Sequence, residues 1–119
     1  NSSITFMTAH DAKGYAEHDW LQLVRSGQAL AIYMGRTSAP FLQGRLLMAG
    51  ADSNVAVTCI ENISRPSERH FVSTLANFAQ QLKEEQWGGP LIILVGIGKT
   101  AARISVSPSD LRAVSDGRP

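Results

Sequence analysis

Three strand-like segments of this sequence end in residues whose types could bind a ligand. These ends are Thr8-Ala9-His10, Tyr33-Met34-Gly35 and Glu61-Asn62-Ile63-Ser64. Ligands of open α/β sheets bind beside the carboxyl ends of strands, so the three segments predict a binding edge. A histidine there can bind a carboxylate through a hydrogen bond near neutral pH, and a methionine packs well against a flat ring. Purely structural roles remain the alternative, with His10 ordering its own loop and Met34 lying in the core.

Metal binding and nucleophilic catalysis find little support in the other residues. His10, His18 and His70 lack the spacing of paired metal ligands, and Cys59 has no close partner. Cys59 also lies in an apolar run, which predicts a buried, inert thiol. There is no Gly-x-Ser-x-Gly elbow, and residues 96–100 lack the first glycine of a phosphate loop. We therefore predict no metal site and no activated nucleophile.

The composition limits the chain to one ordinary folded domain. It has 119 residues, of which 44% are hydrophobic and 18% charged. The net charge is +1 and the eleven basic residues are scattered, which argues against nucleic acid and against an anionic membrane surface. A single cysteine excludes an internal disulfide and suits a reducing compartment. No apolar run approaches the roughly 20 residues that cross a bilayer.

The pattern of apolar residues predicts five strands. They cover residues 4–8, 29–34, 55–60, 70–73 and 91–95. The nearly continuous apolar runs at 29–34 and 91–95 indicate strands that are covered on both faces. The short run at 70–73 favours an antiparallel member. We therefore predict an α/β fold with a single mixed sheet and flanking helices.

Helices are predicted between most of these strands. Asp19 is the expected N-cap of a short helix over residues 20–24, after a loop that begins behind His10. Ser38 and Pro40 predict the start of a helix that Gly50 ends. Thr74 is the expected cap of a helix from Leu75, and residues 107–111 give a late helix signal.

An ordered set of short motifs resembles one known family. The motifs are Thr5-Phe6-Met7-Thr8-Ala9-His10, Asp19-Trp20, Ile32-Tyr33-Met34-Gly35, Val55-Ala56-Val57, Glu61-Asn62, Arg65-Pro66 and Gly89-Pro90-Leu91-Ile92-Ile93-Leu94-Val95-Gly96. In this order and spacing they resemble the C-terminal half of the tetrapyrrole methylases. Within that family they resemble the uroporphyrinogen-III C-methyltransferases, including the methylase portion of siroheme synthases. The resemblance runs from about Thr5 to Gly98.

The resemblance implies a two-domain α/β enzyme, of which residues 1–119 would be the C-terminal domain. Such an enzyme transfers methyl groups from S-adenosyl-L-methionine to two ring carbons of uroporphyrinogen III. The products are precorrin-2, which feeds siroheme and cobalamin synthesis, and S-adenosyl-L-homocysteine. Because the reaction needs an electron-rich carbon aligned with the sulfonium methyl, positioning does most of the work. The resemblance also implies a cytoplasmic homodimer.

Two groups of site residues follow from the resemblance. Tyr33, Met34 and Gly35 match the motif that meets the adenosine part of the cofactor. Ile63 stands where the family usually has Gly or Ala against the cofactor, and Leu91 stands where a small residue often lies beside the adenine. Thr8 and His10 match the Thr-Gly-His motif that faces the tetrapyrrole, with Ala9 in the place of its glycine.

The family's Gly-rich loop, its Asp-containing cofactor motif and its proposed acid and base residues have no counterpart here. We therefore expect an N-terminal domain as the missing partner, no catalytic residue in this chain, no activity of this part alone, and self-association through an exposed apolar face. Two alternatives stay open. One is a methylase for a later precorrin or for the diphthamide precursor, and the other is a non-catalytic dimerisation module that has lost the cofactor.

Overall fold

The computed structural model describes residues 3–96, which contain five strands and four α-helices. In chain order the elements are β1 (Ile4–Thr8), α1 (Ala9–Lys13), α2 (Glu17–Arg25), β2 (Ala29–Met34), a 3-10 turn (Arg36–Ser38), α3 (Ala39–Met48), β3 (Ala56–Glu61), β4 (Arg69–Thr74), α4 (Phe78–Glu85) and β5 (Leu91–Val95). All five predicted strands are present, with ends that differ by one residue at most. The helix predicted over residues 107–111 lies outside the described residues.

The strands form one sheet in the order β1-β2-β5-β3-β4. Among the strands of residues 3–96, only β1 and β2 run parallel, and the other three pairings are antiparallel. The predicted single mixed sheet is therefore confirmed, although antiparallel pairing contributes more than the one expected strand. The last of the described strands, β5, lies in the middle and joins β2 to β3. The two halves of the sheet are thus connected only through a strand that is distant from both in sequence.

The helices bury one face of the sheet. Alternate residues of β2, β3 and β5 point into this core, as the two-residue period of a strand requires. The large buried side chains there are Leu30, Ile32, Ile93, Trp20, Leu42, Leu46, Leu75, Phe78 and Leu82. Each such side chain contributes about 1.5–3 kcal/mol when it leaves water, so this layer dominates the stability of the described part.

Cys59 belongs to the same core. It is fully buried on the helix side of β3. Burial raises the pKa of its thiol to about 12, because the charged thiolate is poorly solvated there. The thiol is therefore protonated near neutral pH, and the prediction of a buried, inert cysteine is confirmed.

The second face of the sheet is more open among the described residues. Ala31 and Ile92 are buried there, with Ile4, Tyr33, Ile63 and Leu94 packed around them. Towards the two edges of the sheet Phe6 is 38% exposed and Val72 is 63% exposed. The central strands β2 and β5 are thus buried on both faces, as their continuous apolar runs predicted.

The first two helices differ from the prediction. The segment after His10 is helix α1 and not a loop, because the Thr8 hydroxyl oxygen accepts a hydrogen bond from the Asp11 N–H at 3.1 Å and caps it. Helix α2 begins at Glu17, upstream of the expected cap. Asp19 lies in its first turn, where Oδ2 accepts from the Ala16 N–H at 2.8 Å.

The start of α4 was also predicted too early. Thr74 pairs with Ala56 as the last residue of β4, and the Leu75 N–H donates to the Val55 carbonyl at 2.9 Å. The helix begins only at Phe78. Leu75 is buried beside Phe78 and Leu82, so it shares their helical spacing without being helical. The helical spacing of Leu75 therefore reflects its burial in the core and not a turn of helix.

Candidate functional site

The strand ends that the sequence singled out meet at one edge of the sheet. The carboxyl ends of β1, β2 and β3 lie there, beside the amino end of β5. Thr8 is opposite Tyr33, Tyr33 is opposite Ile92, and Ile92 is opposite Ile60. Since neighbouring strands lie about 4.8 Å apart, this row brings distant parts of the sequence into contact. The predicted strand ends thus meet at one edge, and ligand binding there remains a prediction.

Met34 and Leu91 form the next row of the same edge. They are directly opposite each other, and both side chains are buried in the core under the helices. The structural alternative for the Met34 side chain therefore holds. What these two residues present outward is the main chain of the strand ends. Their predicted contact with a cofactor remains a prediction, and any such contact would involve backbone atoms.

Gly35 leaves the edge in an extended conformation, with φ −86° and ψ 158°. Any residue can adopt this backbone. A Cβ atom built on Gly35 meets nothing within 4 Å, so the chain's own packing does not require a glycine there. The position is exposed and leaves room for another molecule to approach the main chain.

Ile63 lies in the turn that follows β3. Its neighbours Asn62 and Ser64 have φ values of 54° and 67°, so the turn is formed by two left-handed residues. The Ile63 side chain packs against the small cluster of Ala31 and Ile92 on the second face of the sheet. A branched residue thus has a packing partner within the chain.

Thr8 and His10 lie at the outer end of the edge, in and after the edge strand β1. The Thr8 hydroxyl oxygen is held by the α1 cap, and its proton can still be donated. His10 is exposed on α1, which the sequence had assigned to a loop. Because Thr8 is opposite Tyr33, helix α1 begins beside the strand that carries the predicted cofactor motif.

Glu61 was predicted to lie at a strand end, but no role was predicted for its side chain. It is 2% exposed, and it is the one buried charged side chain within residues 3–96. Its Oε1 accepts from Arg69 Nε at 2.6 Å, and its Oε2 accepts from the Gly89 N–H at 2.8 Å. The carboxylate therefore ties together β3, β4 and the turn that precedes β5.

The environment keeps Glu61 ionised. Burial pushes the pKa of the carboxyl group upwards, but the hydrogen bonds from Arg69, Gly89 and Gly88 and the charge of Arg69 outweigh it. The pKa is consequently held below its usual range. The sequence did contain a signal for this site. Val57, Cys59 and Glu61 alternate along β3, which places the carboxylate on the buried face.

Trp87 completes this cluster. The Arg69 guanidinium carbon lies 5.2 Å from the centre of the indole, and the Phe71 ring centre lies 5.0 Å away. Arg69 keeps 53% of its side chain exposed, so it joins the buried carboxylate to the surface. A Cβ on Gly89 would collide with the Asn62 amide, so the Asn62 side chain would have to move to admit one. This end of the edge is therefore tightly built.

The described residues show no candidate metal cluster and no membrane-spanning helix. Residues 3–96 contain no cluster of His, Cys, Asp or Glu that could hold a metal ion. None of the helices in this part of the chain is long and apolar enough to span a membrane.

Comparison with known proteins identifies relatives in sequence. The siroheme synthase of Pseudoalteromonas translucida is 34% identical over 94 residues, which are 79% of this chain and 20% of the relative. The uroporphyrinogen-III C-methyltransferase of Synechocystis is 28% identical over 98 residues, which are 81% of this chain and 37% of the relative. The chain thus spans about a fifth to two fifths of the length of these relatives. No family model matches it.

Solved structures agree with these relatives. A uroporphyrin-III C-methyltransferase of Thermus thermophilus, complexed with S-adenosylhomocysteine, is 25% identical with a TM-score of 0.59, over 77% of this chain and 41% of that protein. A cobalt precorrin-4 methyltransferase shares the fold at 15% identity, with a TM-score of 0.68 over 79% of this chain and 40% of that protein. The resemblance to the tetrapyrrole methylases is therefore confirmed.

Proposed function

We propose that this chain, which has the sequence and fold of one part of a tetrapyrrole methylase, helps to bind S-adenosylmethionine and a tetrapyrrole in a methyltransferase. The acceptor that the name of one relative favours is uroporphyrinogen III, and the family resemblance implies precorrin-2 as the product. One observation carries the proposal. Thr8, the Tyr33-Met34 pair and Leu91 come from three distant parts of the sequence and lie in adjacent rows of one sheet edge.

The cofactor side of this edge would be formed by main-chain atoms. Met34 and Leu91 anchor the strand ends in the core, while exposed Gly35 leaves space beside its backbone for the adenosine part. The Ile63 side chain is held on the second face of the sheet, so it does not have to occupy the space beside the backbone of its turn. The residues present therefore fit the group. S-adenosylmethionine would supply the electrophilic methyl group.

The substrate side would be formed by Thr8 and His10. His10 is exposed and can donate a hydrogen bond to a carboxylate side chain of the tetrapyrrole. Thr8 lies on the strand next to Tyr33 and directly opposite it, so the proposed substrate residues adjoin the proposed cofactor residues. These residues bind and orient, and we assign no acid or base to this chain. Methyl transfer to an electron-rich carbon depends mainly on such alignment.

Several parts of the proposal concern the complete protein. The cofactor's other contacts and any catalytic residue would come from a second domain, and residues 1–119 alone would be inactive. The expected homodimer, cytoplasmic location and self-association of this part remain predictions. Exposed Phe6 and Val72 supply the apolar surface on which self-association would depend.

The decisive experiment uses the complete reading frame. The protein is incubated with uroporphyrinogen III and methyl-labelled S-adenosylmethionine, and the product is weighed by mass spectrometry. Gain of two labelled methyl groups is the expected result. Cofactor binding without transfer would indicate another acceptor, such as a later precorrin. Absence of both transfer and cofactor binding would contradict the proposal and favour a non-catalytic module.

A further inference from the structure

A groove outside the predicted site lies between the 3-10 turn, α3 and α4. Its volume is about 540 Å³, within the range of roughly 300–1,000 Å³ that is usual for small-molecule sites. Pro40, Ala76 and Ala79 give it apolar walls, and Arg36 and Lys83 line it with positive charge. Gln43 and Gln80 add amide groups.

The charge of the groove is unbalanced among the described residues. No carboxylate is among its lining residues, and within residues 3–96 neither Arg36 nor Lys83 forms an ion pair. Gln43 fixes the separation of the walls, because its Nε2 donates to the carbonyls of Leu75 and Ala76 at 2.9 Å each. The result is a formed cationic groove with apolar walls, which is complementary to an anion attached to a flat apolar body.

One end of the groove adjoins the binding edge, while its Ala76 end follows Thr74 at the opposite edge of the sheet. Arg36 directly follows Gly35, the last residue of the predicted cofactor motif. Helix α4, which carries Lys83, leads through residues 86–90 into Leu91, and Leu91 lies opposite Met34. Both cations are thus carried by segments that start or end at the row containing Met34. A ligand held at the edge could extend part of itself into the groove.

We infer that this groove binds the acidic side chains of the tetrapyrrole. The inference rests on the proposed function and adds a second contact surface to Thr8 and His10. Every pyrrole ring of uroporphyrinogen III carries an acetate and a propionate, so one ring with its two acids matches the apolar walls and the paired cations. Arg36 would bind a carboxylate through two parallel N–H groups, and Lys83 would act as a point charge.

The test measures binding of uroporphyrin III, the oxidised and fluorescent form of the substrate, to the complete protein. Arg36→Gln and Lys83→Gln should each raise its dissociation constant by about three- to tenfold, as expected for loss of a partly screened charge pair. Raised salt should weaken wild-type binding more than binding to either variant. Lys83→Arg should keep most of the affinity, and S-adenosylhomocysteine binding should be unchanged in all variants.

Arg25→Gln is the matched control. Arg25 ends α2 just before β2 starts, so it lies at the opposite edge of the sheet, and it is exposed like Arg36. If Arg36→Gln and Lys83→Gln bind uroporphyrin III as well as Arg25→Gln does, the groove is not a tetrapyrrole site. Should that happen while wild type still methylates uroporphyrinogen III, only this inference fails. If wild type neither methylates uroporphyrinogen III nor binds uroporphyrin III, the proposed function and this inference both fail.

Discussion

The two ends of the binding edge are built in opposite ways. At the β1 end His10 is exposed and Thr8 is half-buried, and the capping hydrogen bond of Thr8 is the one side-chain hydrogen bond that these two residues form within residues 3–96. At the β3 end Glu61 is buried and joins Arg69 to Gly89 at 2.6 and 2.8 Å. One end is thus a surface with few side-chain contacts, while the other is a network in which each polar group depends on its partners.

This difference suggests a division of labour along the edge. A buried network defines where the turns around Ile63 and Gly89 lie, and the backbone presented to a cofactor must be placed accurately. An exposed histidine can adjust to a large, flexible substrate without such support. We therefore expect substitutions at the β3 end to cost stability, and substitutions at the β1 end to act mainly on ligand binding.

The largest effect is expected for Glu61→Ala. It leaves the Gly89 N–H and the Arg69 guanidinium without their buried acceptor, which should lower the free energy of unfolding by about 2–3 kcal/mol. Urea denaturation of the complete protein measures this. Glu61→Gln retains an acceptor and the same volume, so its effect should be smaller. Equal stability of wild type and Glu61→Ala would show that the network contributes nothing.

Gly89→Ala should cost less, about 1–2 kcal/mol, because its Cβ displaces the Asn62 amide without removing a charge. Gly88→Ala is a close control, since a Cβ at Gly88 meets nothing within 4 Å. Thermal unfolding of both variants should separate them clearly. Asn62→Ala should relieve the collision in the Gly89→Ala background, and failure to do so would point away from this contact.

Lowering the pH should reduce the stability of the protein by a smaller amount. The pKa of Glu61 is lower in the folded protein than in the unfolded chain. Its contribution to stability is therefore fully present above the unfolded pKa and is lost as pH falls through the folded pKa. Stability of wild type should thus decline on acidification below about pH 4.5, more steeply than that of Glu61→Gln. Parallel pH profiles of the two proteins would contradict this assignment.

The smallest change in stability is expected at the β1 end. Thr8→Ala removes the cap of a five-residue helix and should cost about 0.5–1 kcal/mol. Thr8→Ser keeps the capping oxygen and serves as the control. Urea denaturation gives the stability, and uroporphyrin III titration should reveal a larger effect of Thr8→Ala on binding. A stability loss as large as that of Glu61→Ala would erase the contrast between the two ends.

Much of this architecture could be predicted from local pattern. The strands were predictable because buried runs such as Leu91–Val95 are apolar along their whole length. The helix starts were less predictable, since Leu75 is buried by tertiary packing at a spacing that imitates a helix. The position of Glu61 at a strand end was predictable, but its partners Arg69 and Gly89 are 8 and 28 residues away. Nothing in the local pattern identifies such partners.

The sequence by itself determined the elements and the residues that their ends would carry. Periods of two and 3.6 residues are local properties, and they place Met34 at the end of a strand and Pro40 at the start of a helix. The tertiary structure alone decided that these ends form one edge. That edge exists because β5 inserts between β2 and β3 and brings Leu91 beside both Met34 and Glu61. Strand pairing of this kind depends on contacts between distant residues, which no local period encodes.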